Sequence, residues 1–425
     1  MKKFLSFLLI AVLVFSLVGC GAKEEPVQNN NQNETSQENS SKELTPEPGA
    51  KLVVWDSPGV EQEFMKEIAA KFTEKYGVPV TVEEVDHTKA KERLLQDGPA
   101  GIGADVFGAP HDHTGELVMA GLVLPNAFAD RINKEMLKSA VDAVSFDGVV
   151  YGYPRAIETY ALYYNKDIFP EPPKSYNEII EFGKKFTNVN ENKYALMWDV
   201  DNAYFSQAFL AGGGGYVFGN GGTNKNDVGI DSEGAIKGVK EMMKLKEILP
   251  IPAGDADYQP MMGLFKEGKI GAIINGPWAL AEIRESGINY GIAKLPKLTD
   301  GSKSVPFSGV RALFVSAYTK YPNAAQLFAN FYTTEENLIR RYEVTGQIPT
   351  TKAAANSDII KNDPDAAAFL AQAADAIPMP SIPQIGLFWE PMGAAYGAIW
   401  NEEVSVEEGL KNAAETIRNA IAEQE

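Results

Sequence analysis

Apolar residues recur at two spacings along this chain, and the alternation between them lays out its elements. Lys51-Leu52-Val53-Val54-Trp55 is a short apolar run that reads as a buried strand. Phe64, Ile68 and Phe72 then repeat every four residues within Val60 to Tyr76, the stripe of a helix. Gly77 follows at the position that favours a left-handed cap. Val78 to Val85 alternates as a strand, and Ala104-Asp105-Val106-Phe107 is another. Strand, helix and strand at this spacing predict βαβ units and a largely parallel sheet. The pattern returns downstream, with helices over Asp231 to Leu249 and Gln259 to Lys266 and a strand over Ile270 to Ile274. An amphipathic helix is expected over Lys411 to Glu425, and the glycine cluster Gly212 to Gly222 reads as an irregular loop. No repeat at a solenoid period is visible.

The first 48 residues follow another pattern. Lys2 and Lys3 precede an apolar run from Phe4 to Val18, too short to span a bilayer comfortably, which ends in Leu17-Val18-Gly19-Cys20. The tetrad resembles the lipobox of bacterial lipoproteins. That resemblance makes residues 1–19 a signal peptide and Cys20, the one cysteine, the site of diacylglycerol attachment. The competing reading is a buried cysteine behind a plain secretory signal. From Gly21 to Pro48 large apolar residues are almost absent, around a core of Gln28-Asn29-Asn30-Asn31-Gln32-Asn33-Glu34. Such a stretch cannot offset its ordering entropy, so residues 20–48 are expected to form a disordered linker with ends roughly 30 Å apart.

About 375 residues remain, enough for two or three domains. Hydrophobic residues make up 44% and charged residues 23%, as in soluble globular proteins. No later stretch is apolar enough to span a membrane. Lys and Arg number 39 against 57 Asp and Glu, a formal charge of −18, or −20 once Lys2 and Lys3 leave with the signal. That balance argues against nucleic acid or an anionic lipid surface as partner and favours a neutral or cationic small ligand. With no second cysteine, the cores must hold without disulfides.

In open α/β sheets, ligands bind beyond the carboxyl ends of the strands. That rule selects Trp55, Asp56 and Ser57, then Ala109 to His113, then Asn275, Gly276, Pro277 and Trp278. Carboxylates, hydroxyls and an indole suit a polyhydroxylated ligand, because sugars pack an apolar C–H face on flat rings and need planar polar groups at their edges. Rival motifs are weaker. Gly263 to Ile270 nearly matches a P-loop but lacks the final Ser/Thr and runs helix, turn, strand; Gly268 reads better as a helix cap. His111-Asp112-His113 has only His87 elsewhere to help hold a metal, so no metal or cofactor is expected. Asp112, Glu158 and Asp201 would supply the carboxylate pair of a surface glycoside hydrolase, yet a chain this acidic offers such pairs by composition alone.

Four segments narrow the reading: Lys51 to Trp55, Tyr163-Tyr164-Asn165-Lys166-Asp167, Ile274-Asn275-Gly276-Pro277-Trp278, and Pro380-Ser381-Ile382-Pro383-Gln384 with Phe388-Trp389. Together they resemble the maltose/maltodextrin-binding proteins of ABC importers, from about Lys51 to the end. Asp97-Gly98-Pro99-Ala100-Gly101 is similar to Gram-positive members in particular. The resemblance implies an α/β, two-lobe periplasmic-binding-protein-like fold. Each lobe is then a mainly parallel sheet flanked by helices, with the ligand cleft between them. Lobe 1 would be residues 49–157 with 309–353, and lobe 2 residues 158–308 with 354–425. It also implies no enzymatic activity, a malto-oligosaccharide ligand that extends to cyclodextrins, ABC permease subunits as partners, and a monomer held on the outer membrane face.

The stacking aromatics of the family fall on Tyr204, Trp278 and Trp389, and its cleft methionine on Met379. Its acids fall on Asp112 and Glu158, with a further acid position near Asn202. His113 stands where an arginine is usual, and Tyr258 completes the implied ligand set. The acid and base of the first loop fall on Gly59 and Val60, leaving Ser57, with Asp56 or Glu61 as stand-ins. A family tryptophan falls on Gly108, and the aromatic and arginine after the last tryptophan fall on Glu390 and Gly393. Stacking faces survive while polar clamps are lost, so longer or cyclic dextrins are expected over disaccharides. The alternatives are a receptor for another oligosaccharide, such as galacto-oligosaccharides, and the surface hydrolase.

Overall fold

The computed structural model describes residues 44–424; the signal, Cys20 and nearly all of the linker expected before them lie outside the described residues. Chain order gives β1 (Leu52–Asp56), α1 (Val60–Tyr76), β2 (Val80–Glu84) and β3 (Val106–Pro110), then β4 (Tyr153–Thr159), β5 (Ala161–Asn165) and β6 (Tyr194–Met197). After α2 (Ala203–Gly212) and α3 (Tyr258–Lys266) come β7 (Ile270–Asn275), β8 (Tyr290–Ala293), β9 (Phe307–Val315) and β10 (Ile377–Pro378). Two helices close the chain, α4 (Gly386–Trp400) and α5 (Val406–Glu423). No described helix is long and apolar enough to cross a membrane.

These strands form two main sheets. The first runs β10-β9-β3-β1-β2, with β4 also paired to β9; the second runs β8-β5-β7-β6. Parallel pairing holds at β1–β2, β1–β3, β9–β10 and β6–β7. It is not general: β9 lies antiparallel to β3 and β4, and β5 antiparallel to β7 and β8. The second sheet is thus mixed rather than mainly parallel. The reason lies in the crossing: Tyr160 alone separates β4 of the first sheet from β5 of the second, too short a link to carry a helical crossover.

Each sheet has its own core. Val54, Trp55, Phe64, Ile68, Phe72, Phe107, Phe314 and Phe328 belong to the first, and Tyr163, Met197, Trp198, Phe209, Ile273, Phe388 and Trp400 to the second. The stripe read from α1 is the face it buries, at roughly 1.5–3 kcal/mol per fully buried large side chain. Its end is as expected, with Gly77 at φ 69° and its N–H on Thr73 O at 2.9 Å. The core changes hands along β9, since Phe307 packs in the second cluster and Val310 in the first. Tyr342 and Ile348 pack in the second core, because the turn at Gly346 leans on Leu280, and β10 joins the first sheet. The glycine-rich stretch 212–222 is irregular as expected, with left-handed Asn220 and Gly221.

Candidate ligand-binding site

Strand ends and helix starts supply the site. Asp56 ends β1, and His111–His113 form a short 3-10 turn after β3. After β7, Gly276 leads into Pro277 at the first position of another 3-10 turn, which fixes Trp278. The Trp278 ring lies so close to Gly276 that a Cβ there would sit 2.1 Å from it, so glycine is needed for the indole to lie flat on the backbone. Tyr204 opens α2, where Asn202 is the N-cap: its Oδ1 accepts the Tyr204 N–H at 3.1 Å while its Nδ2 donates to Asp199 at 3.0 Å. Asn202 therefore positions Tyr204, and its amide is committed to that work.

The aromatics form a row. Trp278 and Tyr204 have centroids 6.1 Å apart, Tyr204 and Phe307 6.2 Å, and Phe307 and Trp389 6.1 Å. Trp278, Tyr204 and Trp389 are each only partly buried. Tyr258 is partly buried against the same core, and its phenol is raised, by burial first, with Asn275 and Trp278 opposing. Burial pushes the phenol of Tyr204 well above its ordinary range, and the nearby Glu158 and Asp112 carboxylates add to it. Both phenols stay neutral hydroxyls. Met379 reaches the row from β10: its backbone N–H bonds Ser308 O at 3.0 Å, and its methyl lies against Gly309. His111 is buried between β9 and β10, near 3.1 Å from Val310 N and 3.4 Å from Met379 O. Asp112 beside it is 3% exposed, and the buried Nδ1 of His113 has no hydrogen-bond partner among the described residues.

A charge network that the sequence reading missed fills the first-lobe side. Arg155 and Asp56, both wholly buried, form a bidentate pair at 2.6 and 2.7 Å. Glu61 receives Arg311 Nη1 and Gln347 Nε2, with Arg155 at 3.6 Å and Arg341 at 3.7 Å. Burial would raise the Glu61 carboxyl, but Arg311, Arg155 and Arg341 outweigh it and hold it well below the usual carboxylate range. Glu158 lies 2.5 Å from Arg311 Nε. Its carboxyl is raised, by burial first, with Arg311 opposing. Ser57 Oγ pairs with His87 Nδ1 at 2.8 Å and accepts the His87 N–H at 3.0 Å. That imidazole is pushed down to about 3, by burial first and then by Arg311, and so is neutral.

The structure thus brings Trp278, Tyr204, Trp389, Glu158 and Met379 together, with Tyr258 packed against the same core. Asn202 serves as a cap. The hydroxyl of Ser57 is turned to His87. Asp56 and Glu61, offered as stand-ins for the lost clamp, are both consumed by arginines. Among the described residues no group of three or more His, Cys, Asp or Glu is placed to hold a metal ion.

Residues 67–368 match the family model for bacterial extracellular solute-binding proteins. The chain belongs to that family. This solute-binding protein is 34% identical to the galactooligosaccharide-binding protein of Bacillus subtilis (strain 168), over 99% of this chain and 97% of the relative. It is 30% identical to the maltodextrin-binding protein MdxE of the same organism, over 92% and 90%. Among solved structures it is similar to a cyclo/maltodextrin-binding protein complexed with maltotetraose, at 37% identity and a TM-score of 0.74, covering 87% of this chain and 97% of that one.

The positions at which the solute-binding protein departs from the expected clamp residues have local causes. A Cβ at Gly108 would lie 2.7 Å from Arg155 Nη2 and 3.2 Å from Asp56 Oδ1, so the buried ion pair occupies the space a tryptophan would need. Gly59 has φ 79°, a conformation that L side chains rarely adopt, and it starts α1. At Gly393 a Cβ would meet Asp201 O at 3.0 Å, where α4 packs on the loop before α2.

Proposed function

We propose that this extracellular solute-binding protein captures malto-oligosaccharides between its two lobes and delivers them to an ABC permease. The lobes divide near residues 157/158, 308/309 and 353/354. The partly buried rings of Trp278, Tyr204 and Trp389, joined through the buried ring of Phe307, carry the reading. Three such faces suit an oligosaccharide better than a single sugar ring, and the Glu158 and Asp112 carboxylates near Tyr204, with His113, would serve its hydroxyls. The maltodextrin-binding relative and the similarity to a maltotetraose complex support it. Hinge closure would couple capture to docking, since a closed form is what a permease distinguishes from the empty receptor. Acylated Cys20 would tether the protein on the outer membrane face as a monomer. It turns nothing over: maltotetraose incubated with it should stay intact, and cleavage abolished by Glu158→Gln would overturn the reading.

A second reading has one specific observation behind it. The galactooligosaccharide-binding relative aligns over nearly the whole chain. Calorimetry with maltotriose, a cyclodextrin and a galactobiose separates the two.

A further inference from the structure

Arg311 lies between two carboxylates and the Trp278 ring. It sits at the midpoint of β9, opposite Ala156 of β4 and Pro110 of β3, with a register shift directly after it. Its side chain is 7% exposed. Nε lies 2.5 Å from Glu158 Oε1 and Nη1 donates to Glu61. The guanidinium carbon stands 5.8 Å from the centroid of the Trp278 ring. Two carboxylates therefore hold the Nε and Nη1 positions of a planar group that carries five N–H donors. Nη2 makes no hydrogen bond among the described residues.

A purely structural strut would explain the contacts less well. Glu61 also has Arg155 and Arg341 within 4 Å and so does not depend on Arg311 alone for a cation, whereas Glu158 has Arg311 as its one ion-pair partner among the described residues. The loop after β1 supplies no polar clamp here. Gly59 and Val60 carry no polar side chain, and Ser57 is bonded to His87. A guanidinium anchored on a central strand is a donor that can take that place, and strands hold such groups more firmly than loops do.

We infer that Arg311 is a specificity-determining ligand contact. It donates to a vicinal hydroxyl pair of the sugar residue stacked on Trp278, so that one residue is held by its face and its edge at once. The inference rests on the oligosaccharide reading above. A planar fork spans two neighbouring hydroxyls, whereas an ammonium reaches one.

The test is calorimetry with maltotriose on the full chain, its Arg311→Lys and Trp278→Ala variants, and the double variant. Arg311→Lys should weaken binding by about tenfold, and by less than about threefold in the Trp278→Ala background, where the shared sugar is no longer seated. Should the lysine variant not fold, Arg311→Gln carries the same comparison. Losses equal in the two backgrounds, or an affinity within about twofold of the parent, would overturn the assignment of Arg311 alone. A parent protein that binds no malto-oligosaccharide would overturn the functional reading and this one with it.

Discussion

Trp278→Ala removes the ring on which the proposed site turns. A tryptophan has roughly 150–250 Å² to bury, and a sugar covering half of it would remove about 80–100 Å² from water. At about 25 cal/mol per Å² that is about 2–2.5 kcal/mol, the range of a binding hot spot and about thirtyfold or more in affinity. The Arg311 contact with the same ring must be set against this, since a cation over an indole contributes about 0.5–1 kcal/mol. If Arg311 keeps its carboxylate partners when sugar binds, that contact exists in both states and cancels. Isothermal calorimetry with maltotriose reads the result directly. Trp278→Phe, which keeps a smaller face, should lose less. An unchanged affinity in the alanine variant would remove Trp278 from the site and refute the stacking argument.

Asn202→Ala deletes the cap of α2 and should cost about 1 kcal/mol of stability, or roughly 2–4 °C in melting temperature, while weakening maltotriose binding by releasing Tyr204. A variant that melts and binds like the parent would show that the cap does neither. Asp199, which holds Asn202, is pushed up to about 6 from an ordinary 3.8, by burial first, with Asp201 and Asp257 adding and Asn202 opposing. The native state then keeps a proton that the unfolded chain gives up near 3.8, so this group's stabilising share is full below about 4 and lost as pH rises through 6. Asp199→Asn should therefore raise the melting temperature at pH 7.5 and flatten its slope between pH 4 and 6; parallel melting curves across that range would refute the shift.

How much was legible depended on how local the signal was. The bounds of α1 follow from a four-residue stripe and a terminal glycine, both contained in one segment. The arginine network was not legible, because each cation reads as a stray charge until its partner arrives from far along the chain. Asp56 meets Arg155 from 99 residues away, and Glu61 meets Arg311 from 250. The cap that Asn202 forms was not legible for the opposite reason: it acts only two residues on, where the sequence pattern points to a ligand position. Gly108 appeared as a missing tryptophan, and the structure turns it into a requirement of the Asp56–Arg155 pair.

The central claim is that the row of rings holds an α-glucan chain. Titrating the protein calorimetrically with maltose, maltotriose, maltotetraose, a cyclodextrin and a galactobiose tests it most directly. The account predicts binding to the glucans, stronger for maltotriose and maltotetraose than for maltose, and little or none to galactobiose. Tight galactobiose binding with no heat from any glucan would contradict it.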